Sequence, residues 1–279
     1  MLPILFGLAS AAIWGAGDFT GGMASRKTGT FQAVIYGEIF GVIIILVVAL
    51  LVWQPVPALD IWALSAVAGA FGTTGLLLLY YSMTKGMMSI AAPVSALLAA
   101  LLPVVVGFFT ESPATLLTFI GFAFALAAIW LISQSKDGVK NIFSHIADLR
   151  VSLLAGIGFG CYFVLIHTAT RTSVIWPMAA SRLGGILILV VFMTLRRESW
   201  KVERVAWPLI FLNGILDIGG NLFFVLAGQV GRLDISAVLS SLYPGSTVIL
   251  AWIFLKERLS RTQWIGILAA MIAIILFTL

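Results

Sequence analysis

The sequence predicts an all-α polytopic membrane protein: ten transmembrane helices in two inverted five-helix repeats. Three observations predict it. Of 279 residues, 61% are hydrophobic and 10% are Asp, Glu, Lys or Arg, whereas a soluble protein carries roughly 25% charged residues. The apolar residues fall in continuous runs of roughly 20, the length of helix that crosses a bilayer. The second half of the chain also repeats the first at a fixed offset.

The runs lie at about 3–22, 31–52, 62–82, 88–109, 114–133, 151–169, 175–195, 207–228, 233–254 and 262–279. They are too long and too continuous for barrel strands, which alternate over roughly ten residues. Polar or helix-breaking punctuation separates them: Gln54-Pro55-Val56-Pro57, Lys85-Gly86, Glu111-Ser112-Pro113 and Lys256-Glu257-Arg258. The first run lacks a basic leader and an obvious cleavage site, so it reads as a span and not a signal peptide. The longest polar stretch divides the chain into a first repeat over 1–134, a linker over 135–150 and a second repeat over 151–279.

A single ungapped register pairs Trp62 with Trp207, Gly69 with Gly214, Gly75 with Gly220, Gly86 with Gly231, Ser95 with Ser240 and Gly121 with Gly266. Slightly different shifts pair Gly7 with Gly156 and Gly41 with Gly185. Five spans per half is an odd number, so the second half enters the membrane upside down. That is the construction of many secondary transporters, with the substrate site near the midplane between the halves.

The cations set orientation. Of the 16 Lys and Arg, all but Arg171, Arg182 and Arg232 fall in the odd-numbered loops. The positive-inside rule then puts those loops in the cytoplasm and both termini outside, in a bacterial-type inner membrane. A net charge of +5 is scattered singly or in twos, with no basic stripe to track phosphates, so no nucleic-acid partner is expected. One cysteine, Cys161, and two histidines cannot form an internal disulfide or a zinc cluster. No metal and no cofactor is expected. No Walker-type loop is present, so energy should come from an ion gradient.

The first helix reads Ala11-Ala12-Ile13-Trp14-Gly15-Ala16-Gly17-Asp18-Phe19. The ninth hairpin reads Leu255-Lys256-Glu257-Arg258-Leu259, then Gln263-Trp264-Ile265-Gly266. In these motifs, and through both repeats, the chain resembles the drug/metabolite transporter superfamily in its EamA branch. The resemblance implies a ten-helix basket that alternates access to a central cavity and moves a small metabolite. The first-half hairpin departs from the pattern at Glu111-Ser112-Pro113.

Within the spans, an ionisable side chain costs roughly 2.5–3.5 kcal/mol at the bilayer centre on insertion scales, so each one marks a candidate site. Four lie well inside: Asp18, Glu38, Arg182 and Asp217. Asp18 shares a helix face with Ser10 and Trp14 at spacings of four, and the second-half equivalents are Phe159, Phe163 and His167. Its bland alternative is a cap or snorkelling role at the helix end. Glu38 and Arg182 correspond in the repeat, and inversion is expected to place one toward each side of the membrane. The carboxylates Asp18, Glu38 and Asp217 are the candidate proton carriers, and Arg182 is a candidate anchor for a substrate carboxylate.

Asn213, Asp217 and Asn221 form one polar stripe on the eighth span, expected to line a substrate path; helix-to-helix glue is the plainer alternative. Trp14, Tyr36, Gln32 and Trp176 are candidate cavity walls, while Gly37-xxx-Gly41 and Gly156-xxx-Gly160 serve close packing. The expected function is proton-coupled export of small amphipathic metabolites such as amino acids. Three buried acids against one base also suit organic or quaternary ammonium cations, which aromatic faces bind. A remote alternative is an intramembrane aspartyl protease: Gly15-Ala16-Gly17-Asp18 matches a Gly-x-Gly-Asp motif, with Asp217 as second carboxylate. The expected partners are a small-molecule substrate, protons and the lipid bilayer, with a homodimer left open.

Overall fold

A computed structural model describes residues 1–84, 88–111, 113–132, 146–255 and 260–278. Helices α1 (Leu2–Thr28), α2 (Thr30–Leu51), α3 (Leu59–Thr84), α4 (Met88–Thr110) and α5 (Leu116–Ile132) make the first half. Helices α6 (Ile146–Ala169), α7 (Ile175–Arg196), α8 (Trp207–Val230), α9 (Leu233–Ser240), α10 (Tyr243–Leu255) and α11 (Arg261–Thr278) make the second. Eight segments are long and apolar enough to cross a membrane, and two shorter apolar stretches, Val94–Thr110 and Leu116–Ile132, complete the ten expected spans. Most of the expected linker, and the Lys85-Gly86 and Lys256-Glu257-Arg258 breaks, lie outside the described residues.

The ninth span departs from expectation by being broken. Ser241 and Leu242 separate α9 from α10, and the chain there tightens to three-residue bonds, Leu242 N–H to Leu239 O at 3.2 Å and Gly245 N–H to Leu242 O at 2.9 Å. Pro244 has no N–H to continue the four-residue ladder.

Lipid supplies no hydrophobic drive between helices, so interfaces in such a fold depend on small residues and close backbone approach. Ala24, Ala68, Ala96, Ala99, Ala100, Ala125 and Ala128 are wholly buried, whereas Leu50, Leu51, Phe109 and Leu195 face outward. The α3–α7 crossing is the tightest: a Cβ on Gly69 would fall on the Ser181 carbonyl, and one on Gly184 on the Ala66 carbonyl. At the α1–α2 corner, Gly29 takes φ 100°, a conformation that glycine adopts without a Cβ penalty.

Helix α1 packs on α8, α9 and α10; α3 on α6 and α7; α4 on α6; α2 on α7 and α8; and α5 on α11. Exchanging α1 with α6, α2 with α7, α3 with α8, α4 with α9–α10 and α5 with α11 maps these contacts onto one another. Pairs such as α2–α7 map onto themselves, so residues there can meet their own counterparts.

Candidate functional site

Three spans converge on one ionic cluster. From α7, Arg182 donates through Nη1 to Glu38 Oε2 on α2 at 2.8 Å and also pairs with the Asp217 carboxylate on α8. Thr73 Oγ1 on α3 donates to the other Glu38 oxygen at 3.1 Å. Gly41 lies beside the Arg182 side chain, whose nearest atoms are 3.7–3.8 Å from where a Cβ would stand, an ordinary packing distance. Glu38 and Arg182 therefore meet, and the expectation of one toward each side of the membrane is corrected. They sit on the self-paired helices α2 and α7, and side chains beside such an axis face each other. Arg182 is engaged by two carboxylates at once.

Asp18 on α1 accepts from the Tyr80 hydroxyl at 3.4 Å and feels the charge of Asp217. It lines the central cavity with Trp14, Glu38, Arg182, Asp217 and Asn221, so it is not a residue snorkelling at the helix end. The cavity holds about 660 Å³ of space free of atoms, open water at its mouth included. Phe159, Tyr162, Phe163 and Tyr243 complete its aromatic wall. Trp14 stacks on Phe163 at 5.5 Å and on Phe224 at 5.9 Å, and Phe163 and Phe224 lie 4.6 Å apart.

Toward the start of α1 the helices approach closely. Leu239 lies against Gly7, the His167 ring against Gly228, and Pro3 against Gly231. His167 faces Glu111 at 4.0 Å, and Arg232 pairs with Asp234 at 2.6 Å. The hydrogen bonds that Arg232 donates to the Asp234 carboxylate hold its guanidinium above its ordinary pKa.

The stripe on α8 splits among neighbours. Asn221 Nδ2 donates to its own helix at Asp217 O, 2.7 Å away, and its Oδ1 accepts from Tyr162. Asn213 lies off the cavity and donates to the Gly17 carbonyl at 2.9 Å, tying α8 to α1. Ser10 does the same through the Gly220 carbonyl at 2.9 Å.

Tyr36 also stands outside the cavity: its hydroxyl donates to Trp200 O at 2.9 Å and its ring packs on Trp207. Gln32 donates to Ser199 O, and Trp176 to Gln54 O at 3.1 Å. These three clasp loops to helix ends. Polar tips there find backbone carbonyls in the adjoining loops, which replaces the expected cavity role.

The family model for EamA-like transporters matches residues 1–134 and again 149–279. The chain belongs to the EamA-like transporter family. A solved crystal structure superposes with a TM-score of 0.81 at 15% identity, covering 99% of this chain and 98% of that one; at that identity the likeness concerns the fold alone. An uncharacterized protein of Methanocaldococcus jannaschii is 30% identical over 134 residues, 48% of this chain and 95% of that protein.

The EamA-like motifs have structural work here. Gly15 of the Trp14-Gly15 pair lets α10 approach: a Cβ there would lie 2.6 Å from the Tyr243 carbonyl. Gln263 of the Gln-Trp-x-Gly ending closes a capping box on α11, with Ser260 N–H to Gln263 Oε1 at 2.8 Å and Gln263 N–H to Ser260 Oγ at 3.2 Å. The repeat counterpart of Ser260, Thr115, accepts from Thr118 N–H at 3.2 Å at the start of α5. The chain from Lys256 to Leu259 lies outside the described residues.

The sequence reading missed Thr73, Tyr80, Tyr162 and Tyr243 as site residues. Tyr162 carried a signal: it lies seven residues inside the α6 end, about 10 Å deep at 1.5 Å per residue, too far in for a tyrosine of the interfacial belt.

Proposed function

We propose that this EamA-like chain is a proton-coupled secondary exporter of small amphipathic metabolites that carry an amine. The observation that carries the reading is the charge balance of the cavity. Arg182 is shared by Glu38 and Asp217, while Asp18 faces the same cavity and accepts from the Tyr80 hydroxyl. A site with three acids and one engaged base favours a cation. Amino acids and organic or quaternary ammonium compounds share that positive nitrogen, and the second class suits the site better because, among the described lining residues, the cation Arg182 is already engaged and leaves none for a carboxylate. The Trp14, Phe159, Phe163 and Tyr162 wall offers apolar surface and π-faces to the rest of the molecule.

Coupling follows from competition. A proton and an amine that neutralise the same carboxylates cannot both be held, so the carrier crosses with one or the other. An inward proton gradient then drives the amine out. Alternation would separate the close contacts near the start of α1, where Leu239, His167 and Pro3 lie against Gly7, Gly228 and Gly231. The proteolytic alternative needs Asp18 and Asp217 to share a proton, yet Asp217 is engaged by Arg182.

The test is a screen of amino acids, primary amines and quaternary ammonium compounds preloaded into proteoliposomes. Efflux of at least one class should accelerate when the outside is acidified. Efflux indifferent to the pH gradient refutes proton coupling, and a preference for anions refutes the cation reading.

A further inference from the structure

The two arms of the Arg182 cluster differ. Glu38 is closed in: its side chain is 6% exposed, one oxygen takes Arg182 and the other takes Thr73. Asp217 shares the same Nη1 but is 25% exposed toward the cavity, in the wall where Trp14 and Tyr162 also stand. The guanidinium itself is 7% exposed. A cation that enters the cavity therefore meets Asp217 first, and meets it already paired.

We propose that Arg182 is a resident counter-cation: its guanidinium holds on Asp217 the place that a substrate ammonium group takes, and it withdraws onto Glu38 alone when that group arrives. This rests on the amine reading above. Glu38 is then a positioning residue that retains Arg182 in both states, and Thr73 fixes Glu38 in turn. Occupancy is thereby tied to packing, because the Arg182–Asp217 contact bridges α7 to α8 and the incoming amine removes that bridge. The empty carrier keeps Asp217 compensated without a cation from solution. The apparent affinity for an amine is correspondingly lowered by the fraction of time that Asp217 is free of Arg182.

The test uses the full-length protein in detergent with phenylethylammonium as probe, read by calorimetry or ligand-dependent thermal shift. Removing Arg182 alone strands Glu38, so the informative variant is the double exchange Glu38→Gln/Arg182→Gln, which leaves Asp217 in place. It should bind the probe roughly tenfold or more tightly than the wild type, and added guanidinium chloride at millimolar concentration should compete in the double variant and not in the wild type. Asp217→Asn, in either background, should lose binding.

Wild-type binding that depends on Asp217, with the double variant unchanged or weaker, overturns the resident-cation role and leaves the amine reading standing. Tighter binding without guanidinium competition also overturns it, since the vacated place should accept the free ion. Probe binding that survives Asp217→Asn overturns the resident-cation role and leaves the amine reading to Asp18; absence of probe binding in every protein overturns the amine reading, and the inference falls with it.

Discussion

Neutralising one partner of the Glu38–Arg182 pair should be far more damaging than neutralising both. Arg182 Nη1 lies 2.8 Å from Glu38 Oε2. At an effective dielectric constant of about 20, that separation corresponds to about 6 kcal/mol of gross attraction. Each ion also forfeits several kcal/mol of hydration on burial, so the net value of the pair is small. Arg182→Gln leaves a closed-in carboxylate with only Thr73 beside it, at an expected cost of about 3–5 kcal/mol. In the double exchange Glu38→Gln/Arg182→Gln, the amide at 38 keeps an acceptor for Thr73 and no closed-in charge is stranded; Asp217 loses its partner, but its side chain is 25% exposed. Its stability should fall within about 1–2 kcal/mol of the wild type.

Denaturation midpoints of the four proteins in the same mixed micelles at neutral pH measure this cycle. The double variant should exceed the sum of the singles by about 2 kcal/mol or more. Acid should relieve the penalty of Arg182→Gln, because a protonated Glu38 is no longer a stranded ion. Additive singles, or an Arg182→Gln penalty independent of pH, would falsify the reading of these residues as a mutually dependent buried pair.

Three further outcomes follow from contacts already described. Asn213→Leu should leave probe binding intact but lower stability by about 0.5–1.5 kcal/mol, because the hydrogen bond tying α8 to the Gly17 carbonyl is lost while Thr20 still satisfies that carbonyl; Asn221→Leu should weaken binding, and ligand-dependent thermal shifts separate the two. Gly69→Ala should lower the unfolding midpoint by at least the equivalent of about 1–3 kcal/mol, since its Cβ must displace the Ser181 carbonyl; an unchanged midpoint refutes the backbone-to-backbone crossing of α3 and α7. In a Cys161→Ala background, Lys201→Cys should resist a membrane-impermeant thiol reagent in intact cells while Ala58→Cys reacts, and the reverse pattern overturns the orientation drawn from the loop cations.

The spans were legible because a lipid-crossing helix announces itself by length and hydropathy, whatever it packs against. Interruptions inside a span are less legible. Pro103 sits within α4 without ending it, whereas the chain before Pro244 breaks α9 from α10. A proline removes one ladder bond in either case, so its presence alone does not say whether the neighbouring turns stay helical. Helix ends were readable only to the extent that local chemistry fixed them, as it does in the Ser260–Gln263 box.

The site was half legible, for a reason that lies in the range of each interaction. Periodicity places Asn213, Asp217 and Asn221 on one face of α8, and they do share it. Along that face, however, α8 passes the α1 backbone, then Arg182, then Tyr162, and one-dimensional spacing carries no information about which neighbour lies opposite each turn. The repeat came closer. It pairs Glu38 with Arg182, and only the fact that α2 and α7 pack on each other converts that correspondence into contact. Read singly, the four buried charges suggest an anchor and three proton carriers. Brought within one cavity, their electrostatics become a shared quantity: any cation that neutralises Asp217 changes what Arg182 must do, and Arg182 is held by Glu38. Substrate recognition and helix packing in this chain therefore act through the same three side chains.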